Sequence, residues 1–332
     1  MSILRLLGYA GLHLIPYTTL EYWLANRFSV PGYVFSPRFS GRTALFELAT
    51  IVRKNSAAPI ALYPDYICNI VPRALAEAGW TAVPYSTNES LESNWSDLSA
   101  RMERGDVGLL VGANVFGSSG LLDDLADPQN LMMLRSRGIK VIADMSQDVS
   151  LIDNLPPQGS DLISAVVSFN NKSFPGAMGG GILAHRSLPN SPNKLSIKQH
   201  IFLYKRTIKT ILVRYAGKKD SVHADRFEYS FCNTFPFKIS DDYHPSKLQI
   251  SCAVQGMLLS KRYRATKQSL LRQHGHIETR FASSAAYLMV KAGRPDVPNR
   301  KLKAPYAIEG NLEVSLRPHD LIVHNKGFDD HA

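Results

Sequence analysis

The sequence predicts an α/β protein of three layers, α/β/α, with a mostly parallel sheet between two sheets of helices. Two observations predict it. Short apolar runs alternate with amphipathic helical patterns from about residue 40 to residue 185, the signature of strands buried on both faces. The chain also has 332 residues, 45% of them hydrophobic and 20% charged, which is enough to bury a full core without disulfides or metals. That mix excludes disordered, collagenous and coiled-coil classes. With 38 Lys+Arg against 28 Asp+Glu, the net charge of +10 suits an anionic ligand, a nucleic acid or an acidic membrane surface, without choosing among them.

The uncharged stretch Leu6 to Leu20 is shorter than the ~20 apolar residues a spanning helix needs and contains His13 and Pro16. It reads as a packed or peripheral helix rather than a signal or anchor. The expected helices are Ala44 to Arg53, Ile67 to Ala78 (with a late start or kink at Pro72), Trp95 to Glu103, and Leu121 to Arg137 with Gly138 as its stop. The expected strands are Pro59 to Tyr63, Thr81 to Tyr85, Val107 to Val115, Lys140 to Met145, Ala165 to Phe169 and Gly181 to His185. Lys194 to Lys219 has apolar residues at helical spacing among lysines and arginines. It reads as a helix with a solvated charged face, or as a weak peripheral membrane contact through 194–219. A long helical pattern runs from Leu248 to Arg280, and the tail after Lys291 shows little periodicity.

The three cysteines, Cys68, Cys232 and Cys252, are far apart, and His274 and His276 lack the spacing of a helical metal pair. No disulfide framework and no metal site is expected, and a cytoplasmic location follows from the cysteine usage.

Ligands in a parallel sheet bind at the carboxyl ends of the strands, so polar residues at those ends are the candidates. Ser40-Gly41-Arg42-Thr43 precedes a helix. Its N–H groups and positive dipole end suit a phosphate, Gly41 allows close backbone approach, and Arg42 and Thr43 add donors. Asp144 ends the run Lys140-Val-Ile-Ala143, where a carboxylate needs a cation or donors, and Gln147 follows it. Ser168 and Lys172 follow the strand Ala165 to Val167. A lysine just past a buried strand loses solvent, and its amine can serve as a nucleophile. Gly179-Gly180-Gly181 leads into the next strand and lets backbone lie against a ligand. Each of these alone also reads as a cap, a turn or a surface lysine. Together they supply an amine nucleophile, a carboxylate for a pyridinium nitrogen and a phosphate cup, which is what pyridoxal 5'-phosphate requires.

In this order the motifs resemble the DegT/StrS family of sugar aminotransferases, within the fold-type-I, aspartate aminotransferase-like enzymes. Ser40-Gly41-Arg42-Thr43-Ala44-Leu45 is similar to the family's S-G-T-x-A-L turn, and Tyr63 to Cys68 to its P-x-Y-T segment. Asn114-Val115-Phe116-Gly117 is similar to H-x-F-G, and Asp144-Met145-Ser146-Gln147 to D-x-x-Q. Ser168-Phe169, Lys172 and Gly179-Gly180 are similar to S-F-x(n)-K…G-G, and Ser246 to Gln249 to the segment opening the next long helix. The resemblance implies that Lys172 carries pyridoxal 5'-phosphate and moves a proton. It implies that Asp144 faces the ring nitrogen, that Gln147 lies near the ring and that Ser168 contacts the phosphate. Cys68 falls where the family stacks an aromatic on the ring, and Tyr66 is its neighbouring substitute.

The resemblance further implies a homodimer that takes an amino group from an amino-acid donor, glutamate or glutamine, to a nucleotide-sugar substrate bearing a keto group, with no nucleic-acid partner. In the family a G-Y-N-x-R segment reaches the partner's phosphate; here it reads Ser240-Asp241-Asp242-Tyr243-His244. The family's C-terminal domain is longer than the one here. The expected division is therefore an N-terminal segment 1–35, a cofactor-binding large domain 36–245, and a C-terminal helix with a reduced α/β small domain over 246–332. A cofactor-binding protein without transaminase activity, and a basic protein binding nucleic acid or membrane through Lys194 to Lys219, are the alternatives.

Overall fold

The structure is a computed structural model. It describes residues 11–12, 14–87, 93–115, 119–146, 149–169, 179–186, 188, 193–205, 240 and 243–254, and the backbone of 287–291 and 321–325.

The elements in chain order are α1 (Tyr17–Arg27), β1 (Val34–Arg38), α2 (Gly41–Lys54), β2 (Ile60–Pro64), α3 (Ile70–Glu77), β3 (Thr81–Tyr85), α4 (Trp95–Met102), β4 (Val107–Ala113), α5 (Gly120–Ala126), α6 (Pro128–Ser136), β5 (Lys140–Asp144), β6 (Ile163–Ser168) and β7 (Gly180–Ala184). Two 3₁₀ turns, Val149–Asn154 and Pro157–Gly159, lie between β5 and β6. Helices α7 (197–205) and α8 (247–254) follow, then β8 (Tyr287–Lys291) and β9 (Leu321–Asn325).

Seven strands form one sheet in the order β1-β7-β6-β5-β4-β2-β3. Strands β2 to β6 pair in parallel, while β7 is antiparallel to both β6 and β1. Hence β1 runs with β6, and the carboxyl ends of β1, β5 and β6 share an edge with the start of β7. That edge carries the chemistry described below.

Helices cover both faces. On one, Ala44, Leu45, Leu48 and Ala49 of α2 and Val71, Ala74 and Leu75 of α3 bury against Ala61, Leu109, Val111, Ile142, Val166 and Ile182. On the other, side chains of α1, α4, α5 and α6 close over Leu62, Leu110, Val141, Ala165, Val167 and Leu183. Each fully buried Leu, Ile or Val contributes roughly 1.5–3 kcal/mol, so these two slabs supply the main driving force. Phe28 after α1 packs on Phe35 and Phe169 with ring centroids 5.0 and 5.4 Å apart, which seats the N-terminal helix against the sheet.

The six expected strands are present, each within two residues of the expected bounds. Three readings need correction. The expected helix Leu121 to Arg137 is two helices, because Asp127 caps the second through Gln129 N–H at 2.8 Å and Pro128 occupies its first position, where a missing N–H costs nothing. Gly138, at φ +67°, then ends it as expected. Strand β1 was not expected. It contains Pro37, and a proline is tolerated there because β1 is one of the sheet's two edge strands. The tail is not featureless either, since β9 pairs antiparallel with β8, Tyr287 opposite Asn325. Helix α3 starts late, as expected, with Pro72 in its first turn.

The segments beyond residue 205 of the basic helix and beyond 254 of the long helix lie outside the described residues. No helix among the described residues is long and apolar enough to cross a membrane.

Candidate active site

Strand register places the candidate residues. Asp144, the last residue of β5, lies opposite Val166 of β6, and Ser168 of β6 lies opposite Gly180 of β7, which lies opposite Arg38 of β1. Side chains two apart on a strand share a face. Asp144 and Ser168 therefore project to the face of Val166 and Ile182, which is the face covered by α2. They stand one strand across and two residues along, roughly 8 Å between Cα atoms.

The N-terminus of α2 closes this corner. A Cβ added at Gly41 would meet Ser168 Cβ at 2.8 Å and Val167 O at 3.2 Å. One added at Gly180 would run into the Gly41 nitrogen. These glycines exist because three backbones meet here, a close approach that any side chain would prevent. A capping box shapes the turn: Thr43 N–H donates to Ser40 Oγ and Ser40 N–H to Thr43 Oγ1, both at 3.1 Å. The Thr43 hydroxyl donates to Ser40 O at 2.9 Å, so these hydrogen bonds of Thr43 run within the turn. The helix offers no intrahelical acceptor to the N–H groups of its first residues, Gly41 and Arg42, and its positive dipole end lies beside Ser168.

Asp144 is half-buried. Its carboxylate accepts Ser146 N–H at 2.9 Å, which turns the chain away from the sheet, and its carbonyl accepts Asn114 N–H at 3.2 Å. Past β2, Asp65 fixes the loop that carries the next two candidates by accepting Thr87 N–H at 3.0 Å and Thr87 Oγ1–H at 2.7 Å. Tyr66 is buried there, and burial pushes its phenol well above the usual range. Cys68 is partly exposed.

The segment between β6 and β7 is closed at its base, where Phe169 N–H donates to Gly179 O at 3.0 Å. Lys172, Gln147 and Phe116-Gly117 lie outside the described residues, as do Asp241 and Asp242. The described residues bring Gly41, Arg42, Thr43, Asp144 and Ser168 to one edge, with Tyr66 and Cys68 on the loop after β2.

Two contacts support this corner, and neither partner is marked by a local sequence signal. Arg38, 2% exposed, forms a two-pronged ion pair with Glu47 of α2, with Nη2 to Oε1 at 2.7 Å, and Nη1 donates to Pro37 O at 2.9 Å. Gln249 of α8 donates from Nε2 to the Phe39 carbonyl at 2.6 Å and accepts Ser246 N–H at 2.9 Å. Both hold the strand-to-helix junction from outside. Among the described residues, no group of three or more His, Cys, Asp or Glu side chains could hold a metal ion.

No sequence-family model matches this chain, and no curated protein matches it in sequence. Solved structures match its fold. Helicobacter pylori PseC, an aminotransferase involved in the biosynthesis of pseudoaminic acid, is 14% identical with a TM-score of 0.53 over 82% of this chain and 69% of its own. An archaeal O-phosphoseryl-tRNA(Sec) selenium transferase is 13% identical, TM-score 0.52, over 90% and 67%. 3-Amino-5-hydroxybenzoic acid synthase is 14% identical, TM-score 0.50, over 82% and 67%. The chain thus has the three-layer α/β fold of these proteins. They carry different chemistries on it, so function has to be argued from the site.

Proposed function

We propose that this protein is a pyridoxal 5'-phosphate-dependent aminotransferase of the DegT/StrS kind. The observation that carries the reading is the meeting of Asp144, Ser168 and the glycine-lined N-terminus of α2 on one face of one sheet edge. Their separation suits a pyridine ring with a phosphorylated arm. The N–H groups of Gly41 and Arg42 and the Ser168 hydroxyl would hold the phosphate, and Asp144 would hold the proton on the ring nitrogen. Tyr66 and Cys68 lie on the loop that would face the ring. When bound, the cofactor supplies an electron sink for charge developing at the amino donor's α-carbon.

In sequence, Lys172 follows Phe169, the residue just past β6, by three positions. Its amine would bind the cofactor and, once displaced by the donor, would take the proton from the donor's α-carbon. Gln147 would lie beside the ring, three residues past Asp144. A nucleotide-linked keto sugar as acceptor, glutamate or glutamine as donor and a homodimer are what the DegT/StrS resemblance implies. The excess positive charge fits an anionic acceptor, and the fold is one that PseC, an aminotransferase, also has.

The test is spectroscopic. Purified protein given pyridoxal 5'-phosphate should acquire a visible absorbance band, and glutamate should abolish that band while releasing 2-oxoglutarate. Absence of the band contradicts the cofactor. A band that glutamate and glutamine leave unchanged contradicts the transaminase and leaves a cofactor-binding protein.

A further inference from the structure

Helix α7 buries one side and exposes another. A capping box starts it: Ser196 N–H donates to Gln199 Oε1 at 2.8 Å and Gln199 N–H to Ser196 Oγ at 3.3 Å. Leu203 is buried and packs with Phe39, Leu248 and Cys252, with Leu195, Phe202 and Tyr243 alongside. On the other side, Ile197, Ile201 and Tyr204 are 78%, 48% and 44% exposed. At 3.6 residues per turn these three fall within about 60° of one another, and Lys198 and Lys205, both exposed, lie side by side along one border of the stripe. Lys194, just before the helix, is exposed too.

Isolated exposed apolar residues are ordinary, but a stripe of three beside lysines is not. Charge decides what covers it. Residues 187–219 contain eight lysines and arginines and no aspartate or glutamate. An isologous contact with a second copy would place this basic face against itself, which like charges oppose. A surface that is apolar beneath and anionic at its boundary satisfies both the isoleucines and the lysines.

We infer that the exposed face of α7 docks this protein on an anionic phospholipid bilayer. Ile197, Ile201 and Tyr204 enter the headgroup–acyl boundary, and Lys194, Lys198 and Lys205 meet the lipid phosphates. The contact is peripheral and reversible, and it stands independently of the chemistry proposed above. In sequence, apolar residues continue at the same spacing at Ile208, Ile211 and Tyr215, which lie outside the described residues.

The test is sedimentation of the full chain with vesicles of phosphatidylcholine alone or with about a third phosphatidylglycerol, near physiological ionic strength. The protein should partition onto the phosphatidylglycerol vesicles and not onto phosphatidylcholine alone. Ile197→Ser/Ile201→Ser, which leaves the charge intact and touches no core residue, should weaken partitioning about tenfold or more. Lys198→Gln/Lys205→Gln should do the same. Lys54→Gln/Arg104→Gln, which removes two exposed charges elsewhere, should stay within about threefold of the parent. Three results would overturn the inference. One is no binding to phosphatidylglycerol vesicles. Another is unchanged binding of the Ile197→Ser/Ile201→Ser protein, which would mean charge alone. The third is a dimer in sedimentation velocity that this variant dissociates while vesicles are ignored, which would make α7 a subunit contact.

Discussion

The Cβ that Gly41 lacks would sit 2.8 Å from the Cβ of Ser168. The start of α2 and the end of β6 are thus as close as two backbones with one side chain between them can be. The helix dipole and the strand-end hydroxyl consequently act on the same small volume. Gly41→Ala should force the two apart at a cost of about 1–3 kcal/mol. Titration with pyridoxal 5'-phosphate should show at least about tenfold weaker binding, since 1.4 kcal/mol corresponds to one decade. Unchanged affinity would mean that this corner does not hold the phosphate.

Gln249 acts on that corner from a distance of 210 residues in the chain. Its Nε2 donates to the Phe39 carbonyl at 2.6 Å, and it is 2% exposed. Replacing it with alanine leaves a buried carbonyl without that donor, and about 1–3 kcal/mol of stability should be lost in urea unfolding. A midpoint equal to that of the parent would contradict the clamp.

The cysteines should differ in reactivity. Burial pushes the Cys252 thiol up to about 12, so at pH 8 it is neither accessible nor ionised, whereas Cys68 is partly exposed. Iodoacetamide followed by peptide mass mapping should label Cys68 in the folded protein and Cys252 only after unfolding. Saturation with pyridoxal 5'-phosphate should slow labelling of Cys68, and an unchanged rate would place Cys68 away from the ring.

One carboxylate links folding to acid. The Arg135 guanidinium donates to Asp161 Oδ1 at 2.8 Å and holds this carboxyl below its usual range. Because the folded value lies below the unfolded one, the pair's contribution is present above about pH 4 and is lost as pH falls through the folded value. Asp161→Asn should therefore lower the urea midpoint slightly at pH 7, the pair being exposed, and its difference from the parent should vanish below about pH 4, so that the variant's acid fall is flatter. A steeper acid fall in the variant would contradict the assignment.

Strands β2 and β4 to β6 were legible because strands covered on both faces read as near-continuous apolar runs, as at Val107 to Ala113 and Lys140 to Asp144, and β3 was legible at the other edge despite Pro84. Strand β1 was not, since Ser36, Pro37 and Arg38 break its apolar run, and what accommodates them, an edge position and the Glu47 partner of Arg38, belongs to the assembled sheet. The break at Asp127-Pro128 hid behind apolar spacing that continues from Leu125 to Leu131. In the site, the glycines and the strand-end Asp144 and Ser168 were visible because a local rule marks each. The Arg38–Glu47 pair and the partner of Gln249 were not. The first depends on how β1 meets α2 and the second on a segment 210 residues away, and no local spacing encodes either meeting.

The most direct measurement is borohydride reduction of the protein loaded with pyridoxal 5'-phosphate, followed by peptide mass mapping. The account predicts a single phosphopyridoxyl label on the peptide containing Lys172, and none in Lys172→Ala. A label on another lysine in the parent, or no label at all, would contradict it.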